Sequence, residues 1–313
     1  MSEAAWWVHL RGDPSGFVLD DAEPGLIWRA LLELLDRPED SPAVERARLA
    51  ARSRGMAAAI LERQDPLGFW GSPSAYGVRW GGTAWQLMAA AALGADPEDP
   101  RLLRGANVLL EVVQPTSGGF AIGKGRQPAS CFTAELCATL ARLGFAHHPR
   151  VREAVAWLST RPGAEGWACP ELRHLVARGC PVAAVAVLRL VAEHPPRERP
   201  ALRPLVERAA AFLLRHELFT GEGAPRGWLR FAHPNLGRSD LLDALWALAR
   251  SGVTGGAGVA AGVRLVLARQ GEGGRWLQGE RVAFGEPRGQ PSRWVTAKAL
   301  VVLAAFGGAA KEG

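Results

Sequence analysis

The sequence predicts an all-α fold: a closed α/α toroid of about six helical hairpins, with an inner and an outer ring of helices. Three observations predict it. A Gln/Gly/aromatic motif recurs along the chain. Charged and almost wholly apolar helical segments alternate between its copies. Strand signals are poor throughout.

The motif is clearest in RQDPLGFWGSP, where Gln64, Gly68 and Trp70 fit Q-x-x-x-G-x-W. Gln114, Gly118 and Phe120 repeat it in QPTSGGF, and Gln270, Gly274 and Trp276 repeat it in QGEGGRW. Two weaker copies, RPGAEGW ending at Trp167 and HELFTGEGAPRGW ending at Trp228, fill the interval. Gln64 and Gln114 are 50 residues apart, a period that indicates stacked or closed supersecondary units. The glutamine ends a helix, where its amide can satisfy orphan carbonyls or reach the next repeat's helix end. The glycine permits a tight turn, and the aromatic covers the helix end. These residues are expected to stitch neighbouring hairpins together.

Each copy follows a helix such as GANVLLEVVQ (Gly105–Gln114) or VRLVLARQ (Val263–Gln270). The segments VERARLAARSRG and PLVERAAAFLLRH are rich in charge and read as outer helices. After each motif and a variable loop comes an apolar helix that often ends in Gly: TAWQLMAAAALG, CFTAELCATLARLG, LLDALWALARSG and WVTAKALVVLAAFG. Gly at that place lets the chain turn left-handed and stop the helix. The inner helices are expected to begin near Gly25, Trp80, Ser130, Gly179, Arg238 and Ser292. Ser41-Pro42 and Asp99-Pro100 read as helix starts, and Thr83 with Gln86 has capping-box spacing. The first outer helix is missing or reduced to the segment around Trp6 and Trp7. One domain over residues 1–313 is expected, with a short disordered tail near 307–313; an open α-solenoid is the alternative. The very apolar last helix favours closure against the first.

Composition narrows the function classes. The 313 residues are 48% hydrophobic and 22% charged, which suits a large globular core. The formal charge of +6 comes almost entirely from Arg, since Lys occurs only at Lys124, Lys298 and Lys311. These arginines are scattered, without a basic run, so nucleic acid is not the expected partner. MSEAAWWVHLRGD lacks a signal-peptide pattern and no apolar stretch is long enough to span a membrane, so a cytoplasmic protein with reduced cysteines is expected. Peripheral membrane contact or a protein partner stays open. Trp is preferred over Tyr, 12 to one, which suits apolar clefts and disfavours a carbohydrate site.

Repeats of this kind on paired helices resemble the terpenoid cyclase and protein prenyltransferase superfamily, which includes squalene–hopene cyclase. The resemblance covers nearly the whole chain. It implies an isoprenoid or other apolar substrate in a central cavity, with aromatic faces there stabilising carbocations. Trp80, Phe132, Phe231, Trp246 and Trp294, at or near inner-helix starts, are the candidate lining residues. The D-x-D-D acid of class II cyclases and the D-D-x-x-D motif of class I enzymes are both absent. Asp20-Asp21 read as surface turn residues. Asp240 and Asp243 in RSDLLDALW open an inner helix, where they serve the helix dipole or face the cavity, so Asp240 is the candidate catalytic residue. The Asp-x-Cys zinc ligands of prenyltransferases are not reproduced, because Ala129 stands two residues before Cys131.

A different cluster lies beside Cys131. Cys169, His174 and Cys180 sit in WACPELRHLVARGCP, and Cys131 and Cys180 begin successive inner helices. Three cysteines and one histidine make a complete tetrahedral zinc set. Buried small residues, or a redox pair, are the other readings. Cys137, mid-helix, reads as core. On this basis a noncatalytic, zinc-stabilised binding or scaffold protein is the alternative to an isoprenoid-handling enzyme.

Overall fold

The computed structural model describes residues 10–112, 118–122, 127–160, 166–168, 179–221 and 224–307. Among them the chain forms thirteen α-helices. In chain order these are α1 (Ser15–Val18), α2 (Pro24–Glu33), α3 (Pro42–Ala50), α4 (Gly55–Leu61), α5 (Thr83–Ala92), α6 (Pro100–Val112), α7 (Ser130–Leu140), α8 (Pro149–Thr160), α9 (Pro181–Glu193), α10 (Arg203–Arg215), α11 (Leu241–Arg250), α12 (Val259–Ala268) and α13 (Arg293–Phe306). The only β pairing among the described residues is two isolated bridges, Ala121 with Pro128 and Leu277 with Pro291. No helix among them is long and apolar enough to cross a membrane.

The six apolar helices expected from the sequence are α2, α5, α7, α9, α11 and α13, each starting within a few residues of its expected position. Every residue of α7 is buried, its polar side chains Thr133 and Glu135 being hydrogen-bonded within the fold. Contacts divide the chain into two compact units. One comprises Met1–Gly55, Leu213–Asn235 and Ser239–Gly313; the other comprises Met56–Phe212 and Leu236–Arg238. In the first, α11 packs on α13, α12 on both, and α3 on α2; the last apolar helix, α13, packs against α2 and α1. In the second, α5 packs on α7 and α7 on α9, while α6 and α8 cover α5 and α7.

The motif residues do the stitching expected of them. Gln64 Nε2 donates to Gly68 O (3.0 Å) and to Arg101 O (2.8 Å), in the first turn of the next amphipathic helix α6. Trp70 Nε1 donates to Ile60 O (2.9 Å), near the end of α4, and Trp70 N donates to Thr83 Oγ1 (3.1 Å) on α5. The same two bonds recur. Trp276 donates through Nε1 to Val266 O (2.8 Å) and through N to Thr296 Oγ1 (3.0 Å). Phe120 N donates to Thr133 Oγ1 (2.9 Å). The two weaker copies keep the indole bond, Trp167 to Leu158 O (2.9 Å) and Trp228 to Leu218 O (2.8 Å). Each indole thus satisfies a carbonyl near the end of the preceding helix or turn, and each motif threonine ties the turn to the following apolar helix. Gly68, Gly118 and Gly274 have φ of +98°, +95° and +72°, the left-handed region that a side chain rarely adopts. Gln114 lies outside the described residues.

Four local expectations are corrected. VERARLAARSRG is not one helix: α3 stops at Ala50, and α4 begins at Gly55, whose φ is +85°. Thr83 does not cap α5, because its hydroxyl accepts from Trp70 N, and Gln86 Nε2 bonds Trp80 O instead. Ser41 makes no capping bond, whereas Asp99 Oδ1 accepts from Arg101 N (2.9 Å) as expected. Gly94 and Gly252 end their helices left-handed and Gly144 sits in a π turn, but Gly307 stays right-handed at φ −59°. The segment around Trp6 and Trp7, and the tail after Gly307, lie outside the described residues.

Candidate functional site

The start of α11 gathers two buried carboxyls, Asp240 and Asp243. Asp240 is the N-cap, 1% exposed, and its Oδ1 accepts from Asp243 N (2.8 Å). Asp243 Oδ2 in turn receives Asp240 N, which completes a capping box with an aspartate in place of the usual Glu or Gln. Asn235 bridges the two carboxyls, its Nδ2 donating to Asp240 Oδ2 (2.6 Å) and to Asp243 Oδ2 (2.8 Å). Ala232 N donates to Asp240 Oδ2 (2.9 Å). Lys298 of α13 closes the group with an ion pair from Nζ to Asp243 Oδ1.

One cation therefore serves two buried carboxyls, and it is bound to Asp243. Burial is the main force on Asp240, with the Asp243 charge next; Lys298 and the backbone N–H donors oppose them. The result is a carboxyl pushed up to about 8, a shift that favours the protonated form. A neutral acid in a dry site can hold a proton and give it to something placed beside it.

Three of the candidate aromatic side chains fall in the same unit as this acid. Lys298 Nζ lies 5.9 Å from the centroid of the Trp246 ring. Trp246 Nε1 donates to Glu33 Oε2 (3.3 Å), and Glu33 pairs with Arg29 one turn earlier on α2. Trp294 stacks on the His233 ring at 4.6 Å. Its buried Nε1 has no hydrogen-bond partner among the described residues. Phe231 is buried under the Arg269 guanidinium, 5.5 Å away.

Of the residues expected to line a cavity, Trp246, Trp294 and Phe231 thus fall in the unit that holds Asp240. Trp80 and Phe132 fall in the other unit, joined through Trp85: Trp80 meets Trp85 edge-on at 5.0 Å, and Trp85 lies 6.0 Å from Phe132. Trp80 has a φ of +67°. The cysteines divide as well. Cys131 and Cys180 are buried at the starts of α7 and α9, which pack together, and Cys180 Sγ accepts from Ala183 N. Cys169 and His174 lie outside the described residues, and among the described residues no three His, Cys, Asp or Glu side chains converge on a metal position. Cys137 is fully buried, and burial pushes its thiol up, as suits a core residue. Asp20 and Asp21 are exposed turn residues, Asp21 paired with Arg54.

Sequence reasoning missed Asn235, Lys298 and Glu135. Lys298 carried a signal, being the one lysine in an otherwise apolar helical segment. Glu135 carried the same signal in α7; it is buried there, with Oε2 accepting from Gly237 N (2.9 Å) and Arg189 at 3.7 Å. Asn235, in a loop after a proline, carried none.

No protein-family model and no curated protein matches the sequence. Solved structures similar to this chain include type II terpene cyclase MstE from Scytonema, with 16% identity over 91% of this chain and 87% of that one and a TM-score of 0.43. A variant of MstE in complex with geranylgeranyl dihydroxybenzoate as substrate gives 16% identity, coverage of 92% and 87%, and a TM-score of 0.45. A protein from Actinoplanes gives 17% identity, coverage of 93% and 90%, and a TM-score of 0.45. Likeness at this level assigns no function.

Proposed function

We propose that the protein is a cytoplasmic enzyme that takes an isoprenoid or comparably apolar substrate and transfers a proton to it from Asp240. The observation that carries this reading is an Asp240 buried to 1% exposure, beside an Asp243 that holds the Lys298 cation, an arrangement that raises the Asp240 carboxyl. An acid serving only as a helix cap gains nothing from being neutral, whereas a proton donor requires it. An apolar substrate is supported by the apolar helices of this unit and by the indoles of Trp246 and Trp294 within it, whose rings are of the kind that stabilises positive charge; Trp294 Nε1 is a buried donor. The acid comes from S-D-L-L-D rather than D-x-D-D, so the chemistry rests on one aspartate and its partners. The test is incubation of purified protein with squalene and with C15 and C20 prenyl diphosphates, followed by product analysis. Turnover of at least one substrate is expected, lost in Asp240→Asn and kept in Cys137→Ala. Absence of turnover with all of them, or turnover indifferent to Asp240→Asn, overturns the proposal.

A second reading, a zinc-stabilised binding or scaffold protein, is favoured by Cys131 and Cys180. Both are buried, and they begin two helices that pack on each other. Thiolate sulfur at a helix start is a suitable zinc donor, and Cys169 and His174 precede Cys180 on the chain. With all four, zinc would clamp α7 to α9 as a closed structural site. Elemental analysis of protein purified without a His tag tests this against Cys131→Ser and Cys180→Ser. About one equivalent is expected, lost in both variants; less than about a tenth of an equivalent, or full occupancy in both, removes the metal.

A further inference from the structure

The Ala232 amide that donates to Asp240 is held in place by its neighbours, and the grip on those neighbours comes from Gln278. This side chain is fully buried. Its Oε1 accepts from His233 N (3.1 Å) and its Nε2 donates to His233 O (3.0 Å). Gly279 N donates to Phe231 O (2.7 Å). The backbone groups on either side of Ala232 are therefore seized by residues 278 and 279, which leaves the Ala232 N–H turned to Asp240 Oδ2. Gln278 is itself fixed through its backbone: its N donates to Gln290 O (2.9 Å) and its O accepts from Gly289 N (2.7 Å). It belongs to no helix and caps none.

We propose that Gln278 is a positioning residue for the Asp240 acid: by gripping both backbone groups of His233 it fixes the Ala232 amide against the carboxyl and so sets the pH at which Asp240 ionises. The inference rests on the reading of Asp240 as the acid. An N–H donated to a carboxylate oxygen favours the ionised form. Loosening the grip weakens that bond and raises the ionisation point further. The charged and titratable groups about Asp240 include Asp243 on α11, Lys298 on α13, and His233 and Arg238 in the preceding loop; Glu33 on α2, paired with Arg29, accepts from Trp246. Of these, Gln278 touches only His233, whose ring lies on Trp294.

The experiment follows the protonated-carboxyl band of Asp240 by infrared difference spectroscopy across a pH titration, with the band assigned by its loss in Asp240→Asn. Gln278→Met removes both side-chain bonds at nearly constant volume. It is expected to raise the Asp240 midpoint by about one pH unit, the scale of one hydrogen bond to a charged group. Gln64→Met removes a comparable glutamine clamp from the other unit and is expected to lower the melting temperature without moving the midpoint. Where Gln278→Met does not fold, Gln278→Asn, which keeps the amide but retracts it, reads the same shift. An unchanged midpoint in the Gln278 variant that folds overturns the inference and leaves Asp240 as the acid. A wild-type midpoint in the ordinary carboxylate range overturns the acid; the difference between wild type and the Gln278 variant still decides the role of Gln278.

Discussion

Asp240→Asn should change the slope of stability against pH more than the stability itself. On folding, the Asp240 carboxyl moves from 3.8 to about 8. Between those values the unfolded chain has released this proton and the native protein has kept it. The native state binds more protons, so the contribution of Asp240 is fully present below about pH 4 and is lost progressively as pH rises to about 8. The loss is about 1.4 kcal/mol for each pH unit inside the window. Asparagine is as good an N-cap as aspartate, and its side-chain oxygen can still accept from Asp243 N. Its amide, however, meets the Asn235 donor, at a cost of about 1–2 kcal/mol that does not depend on pH. Urea unfolding of both proteins at several pH values measures the difference, and titrating groups remote from Asp240 cancel in the subtraction, leaving Asp240 with its coupled neighbour Asp243. From about pH 5 to about pH 7 the variant should gain about 3 kcal/mol on the wild type. Parallel stability curves would show that Asp240 is ionised in the native protein, and the argument for a neutral acid would fail.

Two further outcomes follow from the packing. Trp70 is buried and bonded at both its nitrogens, so Trp70→Ala should lower the unfolding free energy by about 3–5 kcal/mol in urea titration; an unchanged melting temperature would show that the motif aromatics do not stitch the repeats. Lys298→Met leaves the Asp243 carboxylate buried without its cation and should cost about 3–5 kcal/mol, part of which Lys298→Met with Asp243→Asn recovers; additive losses in the double variant would mean that the two groups do not interact.

The helices were legible because the hydrophobic effect acts on a period. A segment such as CFTAELCATL has no polar face, so it can only be buried, and α7 begins at the expected Ser130. The motif was legible because each of its atoms answers a local need: Gln64 for an orphan carbonyl, Gly68 for a left-handed turn, Trp70 for the end of α4. Finer expectations failed where a tertiary partner outbid a local one. Thr83 had the spacing of a cap, but Trp70 N takes its hydroxyl. The candidate site was half legible. The aspartates of RSDLLDALW stood out at a helix start. The partners that give Asp240 its character, however, come from a loop five residues upstream and a helix over fifty residues downstream. No pattern along one segment announces a meeting of that kind.

The sequence left the role of Asp240 between helix cap and acid, and the magnitudes bear on which form of the carboxyl the fold favours. A helix N-terminus favours the ionised carboxylate by about 0.3–1 kcal/mol at a surface and up to about 2 kcal/mol when partly buried. The N–H donors from Asp243 and Ala232 act in the same direction. Against them stands the desolvation of a carboxylate that is 1% exposed, a penalty of several kcal/mol for an ion taken out of water. A cation bound directly to Asp240 could offset that penalty, but Lys298 is committed to Asp243, and a second negative charge at Asp240 would repel the first. Burial and the neighbouring charge therefore outweigh them and raise the Asp240 carboxyl. Capping survives this outcome, because a protonated carboxyl still has a carbonyl oxygen to accept from Asp243 N. The same side chain can thus hold the end of α11 whether it is ionised or protonated.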